Sequence, residues 1–390
     1  MKNDIEKTVA QSIKRLIGWI EKSDYKAYEP FDGLNSFLRD FTFERKFLRQ
    51  ALIQFNKRFP LNIRPIIGIK PATSSKGMAY MARGYLKLFK VSKEEKYLDK
   101  AIFCLDWLKE NFCKGYSGYC WGNHFDYQTR GYFLKKGNPT LVWTALCGWA
   151  FYEAYKLLEK DVYGQIIDSV CQTIIKDFPI FKKKVGKCIS YIPNDENLVN
   201  NANFLGVSVL AMGYDITRNK MYKDLAKDAV QYGIEQQLPN GAWYYGEENK
   251  YKWIDNWHTA YNLDSLYLYE KLIRDKQYNH KLRKGIDFYI SNFFHQDRVP
   301  KYYFNKTKPY DIQCISQSID TLILIKYFNK SSIELAKKVA LFGIANMQDS
   351  SGYFYLSKNY FLNKTPTFHW GSATMFHALT NLYSELINED

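Results

Sequence analysis

Six times along the chain a short polar string runs directly into an apolar helical pattern, and the strings recur about every 55–65 residues. They are Ser75-Lys76-Gly77, Asn138-Pro139-Thr140, Asn200-Asn201-Ala202-Asn203, Asp255-Asn256-Trp257-His258, Asp311-Ile312-Gln313 and Phe368-His369-Trp370-Gly371. A period of this length is an internal repeat. It constrains the fold more than any local propensity, because each unit can bury its apolar face only against its neighbours. The helices begun by these strings, roughly 76–90, 140–157, 203–214, 258–272, 313–328 and 370–387, are rich in Ala, Gly, Leu and Tyr. Their first turns carry little charge, as expected of helices buried all round. Between them, at roughly 95–112, 159–178, 219–237, 278–294 and 331–347, lie helices with Lys/Glu faces, which read as an outer layer. Each outer helix is followed by a Gly/aromatic loop such as Gly115-Tyr116-Ser117-Gly118-Tyr119 or Gly241-Ala242-Trp243-Tyr244-Tyr245, expected to form short strands or hairpins at a cavity mouth.

Closure follows from counting. Six inner helices need six outer partners, and only five lie between them. Residues 4–21 form an amphipathic helix, and the helix expected at about 44–58 supplies the sixth outer partner beside the C-terminal inner helix. The chain then closes into an all-α, α/α toroid of six inner and six outer helices. It reads as one domain over 1–390, with 1–65 closing the ring and 66–390 forming the repeated hairpins. An open solenoid is the structural alternative; the six-fold count and the lack of distinct polar caps favour the ring.

Composition narrows the class. With 46% hydrophobic and 24% charged residues the chain is an ordinary globular one, but 17% aromatic content, with 32 Tyr and 26 Phe, suits a cavity that meets both apolar and hydroxyl faces. A formal net charge of +15 favours an acidic partner: nucleic acid, an anionic membrane surface or an acidic glycan. A Lys-rich solvated exterior explains the same charge. The lysines are dispersed over outer helices without a nucleic-acid motif, so no nucleic-acid partner is expected. Seven cysteines with no CxxC pair read as free thiols, the N-terminus lacks a signal-peptide core, and no run approaches a membrane span. A cytoplasmic protein is expected, with a peripheral place at the inner membrane as an option. No Walker or dinucleotide loop is present, and no cofactor is expected. Asp311, Cys314 and His369 are the nearest approach to a zinc set, but no supporting shell is visible and no metal is expected.

Parallel inner helices would bring their N-termini to one mouth, gathering Lys76, Asn201, Asn203, Asp255, His258, Tyr261, Asp311, Gln313 and His369. Ser75, Asn200, Asp255 and Asp311 are also good helix caps. His258 and His369 are not cap types, and a third histidine, His124, lies in the aromatic loop Trp121–Arg130; a lone buried histidine is usually structural, but three near one mouth point to chemistry. This set fits proton abstraction beside a carboxylate. His258 and Tyr261 would act as base and acid, Asn201, Asn203 and Arg130 would hold a uronate, and His124 and Trp243 would position the sugar. Lys76, Glu247, Asp311 and His369 complete the binding set. Epimerisation and lyase-type elimination both fit. A glycoside hydrolase using Asp126 or Asp255 is one alternative, and a non-catalytic glycan-binding or scaffold protein is another.

Gln236-Gln237-Leu238-Pro239-Asn240-Gly241-Ala242-Trp243 and Gln348-Asp349-Ser350-Ser351-Gly352-Tyr353-Phe354 resemble the Gln/Gly/Trp repeats of squalene-cyclase and prenyltransferase-type toroids. The acidic protonation motif of the cyclases is absent, the nearest string being Ser318-Ile319-Asp320-Thr321. Tyr28 to Asn35, Asn62-Ile63-Arg64-Pro65 with Lys76-Gly77, Trp121 to Arg130, Asn200 to Gly206, Trp243 to Glu247 followed by Trp253 to Asn262, and Lys301-Tyr302-Tyr303 with Asp311 are similar to bacterial toroid proteins associated with polysaccharide biosynthesis. That resemblance implies an acidic or lipid-linked glycan as partner and membrane-associated assembly proteins around it.

Overall fold

Why the repeat becomes a closed ring is visible in the computed structural model, which describes residues 2–388 except 195, 197 and 297. The helices are α1 (Lys2–Lys22), α2 (Lys46–Arg58), α3 (Ser75–Ser92), α4 (Glu95–Glu110), α5 (Leu141–Leu158), α6 (Asp161–Asp177) and α7 (Asn200–Thr217). They continue as α8 (Lys220–Glu235), α9 (Asn256–Ile273), α10 (Asn279–Asn292), α11 (Ile312–Leu324), α12 (Ser332–Met347) and α13 (Thr374–Asn388). A π-helical turn, Phe368–Ala373, leads into α13. Helices α3, α5, α7, α9, α11 and α13 pack each against the next, and α13 returns to α3. This inner ring is almost wholly buried, whereas α4, α6, α8, α10 and α12 bury one stripe and expose the other.

The inner helices share their end signals. Ser74, Thr140, Asp255 and Asp311 each accept a backbone N–H of the first turn, satisfying donors that a helix start leaves open. At the opposite end Lys93, Glu159, Arg218 and Arg274 all take the left-handed conformation, so the same tight turn leads from inner to outer helix four times. Ring closure depends on glycine. A Cβ on Gly77 would lie 2.4 Å from the Phe368 ring and one on Gly84 2.4 Å from Phe376, so the bare backbone of α3 lets the C-terminal helix come close. Gly84→Ala should therefore cost about 1–3 kcal/mol through overpacking, read as a lowered urea midpoint with unchanged slope.

The sixth outer helix is α1, not the helix near 44–58. Val9, Ile13, Leu16 and Ile20 of α1 form a fully apolar stripe, and α1 packs against α13 and α12. By contrast α2 buries Arg49, Ile53 and Asn56, too polar a set for the core, and lies across the cavity mouth. The two-stranded hairpins are β1 (Tyr127–Gln128) with β2 (Phe133–Leu134), which reaches the cavity mouth, β3 (Ile180–Lys182) with β4 (Lys187–Ile189), and β5 (Phe294–His295) with β6 (Val299–Pro300). A three-stranded sheet joins β7 (Tyr310–Asp311), β8 (Tyr355–Lys358) and β9 (Leu362–Pro366). The loops at 115–119 and 241–245 stay irregular. All seven thiols are free, and among the described residues no helix is long and apolar enough to cross a membrane.

Candidate active site

A cavity of about 740 Å³ opens where the inner helices begin. Its walls come from the first turns of α3, α5, α7 and α9, the approach to α11 and α13, the β1–β2 hairpin, and the inner face of α2. Of the residues expected from sequence, Lys76, Arg130, Asn201, Asp255, His258, Tyr261, Asp311 and His369 line it.

Both histidines face a buried acidic side chain through Nδ1. Asp255 caps α9 by accepting the His258 amide at 3.1 Å, and its other oxygen lies 2.8 Å from His258 Nδ1. Trp253 Nε1 donates to that same oxygen at 2.8 Å, which holds the carboxylate in place. With Nδ1–H donated to Asp255, Nε2 carries the lone pair, and Trp257 Nε1 donates to it at 3.1 Å. A substrate proton would have to displace that indole. His369 Nδ1 lies 2.7 Å from Glu29 Oε2, a close contact without hydrogen-bond geometry. Glu29 Oε1 accepts the His369 amide at 3.0 Å. Complete burial raises the Glu29 carboxyl to about 7, with His124 and the His369 amide opposing the shift. Burial also keeps His369 neutral, lowering its pKa well below the usual value. A raised carboxyl means that the folded state holds a proton the unfolded chain has lost between pH 4.5 and about 7. Glu29 thus subtracts stability as pH rises through that window, and Glu29→Gln should flatten the decline in melting temperature across it.

Aromatic rings surround the pair. The Arg130 guanidinium sits 4.6 Å above Trp253, Trp253 stacks on Tyr245 at 4.4 Å, and Tyr245 meets His258 at 4.6 Å. From His258 a second chain runs through Trp257 and Trp370, 5.5 Å apart, to His369. Lys57 of α2 lies 4.6 Å from Phe31 and 5.5 Å from both Tyr302 and Trp370. Desolvation lowers its pKa, and Asp311 opposes the shift. Lys76 is lowered to about 8 by burial, with Glu29 opposing. Lys57, Arg58, Lys76 and Arg130 make the lining cationic, while Asp311 is engaged with the Gln313 amide and Trp370 Nε1. Asn201 Oδ1 is buried with no hydrogen-bond partner among the described residues, an acceptor suited to a sugar hydroxyl.

Other expected residues lie elsewhere. Asn203 accepts the Ile189 amide at 3.0 Å and donates to the Ala229 carbonyl at 2.8 Å, stitching β4 and α8 to α7 behind the cavity wall. Asn203→Ala should cost about 1–3 kcal/mol in stability, seen by urea denaturation, and leave ligand binding unchanged. Trp243 is a core residue, donating to the Gly233 carbonyl and packed on Gly285. Glu247 sits at a small side pocket, paired with Lys183 at 2.9 Å. Asp126 is held by Arg39 at 2.6 Å and is not part of the lining, whereas Asp255 is. His124 stands behind the wall, edge-on to Trp143, with its pKa lowered to about 4 by burial. Tyr261 reaches the cavity, but its hydroxyl lies 3.1 Å from that of Tyr80, and burial raises its pKa well above 10. It keeps its proton. Among the described residues no three His, Cys, Asp or Glu side chains gather as a metal site.

Glu29, Lys57, Trp143, Trp257 and Trp370 are not among the site residues expected from sequence, although Trp257 and Trp370 lie within two of the polar strings. Glu29 carried a weak signal in the Tyr28–Asn35 stretch; Lys57 carried none once its helix was assigned to the outer layer.

The chain matches no protein-family model and no curated protein. Solved structures do match. A sugar epimerase from a ruminal bacterium superposes with a TM-score of 0.60 at 12% identity, over 83% of this chain and 90% of that one. The α/α toroid is established. Cellobiose 2-epimerase from Bacillus thermoamylovorans superposes at 0.59 with 13% identity, over 81% of this chain and 88% of that one. A Bacteroides thetaiotaomicron α-mannanase gives 0.57 at 15% identity, over 81% and 88%. Identity at this level carries the toroid fold and nothing finer.

Proposed function

We propose that this toroid is a carbohydrate-active enzyme that moves a proton at a sugar carbon, with His258 and His369 as the two proton carriers. The observation that carries this reading is that two imidazoles on the wall of one cavity, His258 and His369, each face a buried acidic side chain through Nδ1, Asp255 at 2.8 Å and Glu29 at 2.7 Å. At His258 the Asp255 hydrogen bond fixes the tautomer and leaves Nε2 to take or return the proton, while His369 stays a neutral imidazole held against Glu29. Two such groups allow removal from one face of the carbon and return from another, which is epimerisation; departure of a β-substituent instead gives elimination. Toroids that include sugar epimerases and a D-mannose isomerase make this chemistry natural for the scaffold. His369 takes the place of Tyr261 as second carrier, because a phenol that holds its proton so tightly can donate a hydrogen bond but is a poor acid.

The substrate is an acidic sugar. Lys57, Lys76 and Arg130 supply positive charge for a uronate, Asn201 an acceptor for a hydroxyl, and the Trp and Tyr walls stack the ring faces. The proposed substrate is an acidic or lipid-linked glycan of surface-polysaccharide assembly in the cytoplasm. Proton NMR in deuterated water with uronate-containing and neutral oligosaccharides tests the proposal. Loss of one C–H signal by exchange is the expected result, and new vinyl signals would select elimination. Release of a saturated sugar without exchange, or ligand line-broadening with no turnover across the panel, would overturn it.

A further inference from the structure

The segment that lies over the mouth has a second face. One side of α2, with Gln50, Ile53, Gln54 and Lys57, looks into the cavity. The other side and the turn before it expose Phe41, Phe43, Phe47 and Phe55, with Phe43 73% and Phe47 77% accessible. Phe37 joins them, its amide bound to the Ile67 carbonyl beside exposed Ile66. At the same mouth the tip of the β8–β9 hairpin carries Tyr360 and Phe361, 85% and 74% accessible. Scattered exposed apolar residues need no explanation, but large aromatic side chains gathered around one opening do.

Charge selects the occupant. Exposed Arg45, Lys46, Arg58 and Lys70 are interleaved with these rings. The nearby acids are largely neutralised, Glu44 by Arg49 and Asp126 by Arg39, leaving Asp40. A two-fold contact with a second copy would set these cations against one another. An anionic bilayer meets both halves of the pattern: headgroups pair with Arg and Lys while aromatic side chains enter the interface.

We infer that residues 37–47, the outer face of α2 and the β8–β9 tip form a docking lip for an anionic phospholipid membrane, holding the cavity mouth at the lipid surface. The inference is independent of the reaction inside the cavity. Its test is flotation of the full chain with vesicles of phosphatidylglycerol and phosphatidylcholine, against phosphatidylcholine alone, with light scattering of the lipid-free protein. The chain should float with the anionic vesicles only, and less so as salt is raised. Phe43→Ser with Phe47→Ser, or Arg45→Glu with Lys46→Glu, should weaken this roughly tenfold or more, while circular dichroism stays that of the folded protein because all four side chains are exposed. Absence of flotation, or flotation unchanged by both double variants, would overturn the proposal. So would a dimer that the serine variant dissolves without any vesicle binding, which would assign the lip to a second copy.

Discussion

Replacing His258 by Ala should lower carbon-proton exchange at the substrate by about 10²–10⁴-fold, the usual contribution of a positioned acid or base. Binding should change far less. The imidazole is only 20% exposed and its orientation is set on both sides, by Asp255 at Nδ1 and by the Trp257 indole at Nε2. Asp255→Asn is the more discriminating variant. Asn still caps α9, so the helix start survives, but an amide cannot compensate the charge that forms on His258 when it takes a proton. Exchange should fall and its pH profile shift while the fold is retained. Tyr261→Phe should have a much smaller effect, since the lost hydroxyl faces Tyr80 and Gln313. Exchange monitored by NMR decides the matter: full activity in His258→Ala would remove this residue from the chemistry.

Asp32→Ala should cost about 3–5 kcal/mol, the loss typical of breaking a buried ion pair from one side. The Arg64 side chain is wholly buried and the Asp32 side chain only 4% exposed. Arg64 Nε meets Asp32 at 2.9 Å and one guanidinium nitrogen donates to the Glu29 carbonyl at 2.9 Å. Asp32 also accepts from Asn56 of α2 at 2.8 Å and from the Glu29 amide at 3.0 Å. The variant leaves a guanidinium in the interior with no carboxylate, and it loosens both the helix over the mouth and the backbone that carries Glu29. Urea denaturation should show the loss, and the double variant Asp32→Leu/Arg64→Met should recover part of it, because the unpaired charge is then gone. A loss below about 1 kcal/mol would mean that the pair behaves like a solvated surface bridge.

What could be read in advance depended on periodicity. The inner helices are apolar all round and the outer ones striped, so the two layers separate in the sequence, and the capping residues at Thr140, Asp255 and Asp311 mark where they turn into the mouth. His258 and His369 stood out because they occupy polar strings where a cap would suffice. Asn203 looked identical to Asn201 by spacing, yet its amide satisfies two backbone groups while that of Asn201 faces the cavity. Two residues, about 200° of rotation around α7, separate a structural asparagine from a lining one, and composition carries no trace of it.

The sequence by itself determined the double ring, since six apolar helices with six amphipathic partners can bury their faces fully only by closing on one another. It also determined that polar groups would meet at the ends of the inner helices, where backbone donors must be satisfied. Which carboxylate reached which histidine was decided only by tertiary structure. Glu29 meets His369 across 340 positions of chain, and α1 rather than α2 completes the outer layer, leaving α2 to cover the mouth. Those outcomes rest on long-range packing between the N-terminal segment and the last repeat, contacts that no local pattern encodes.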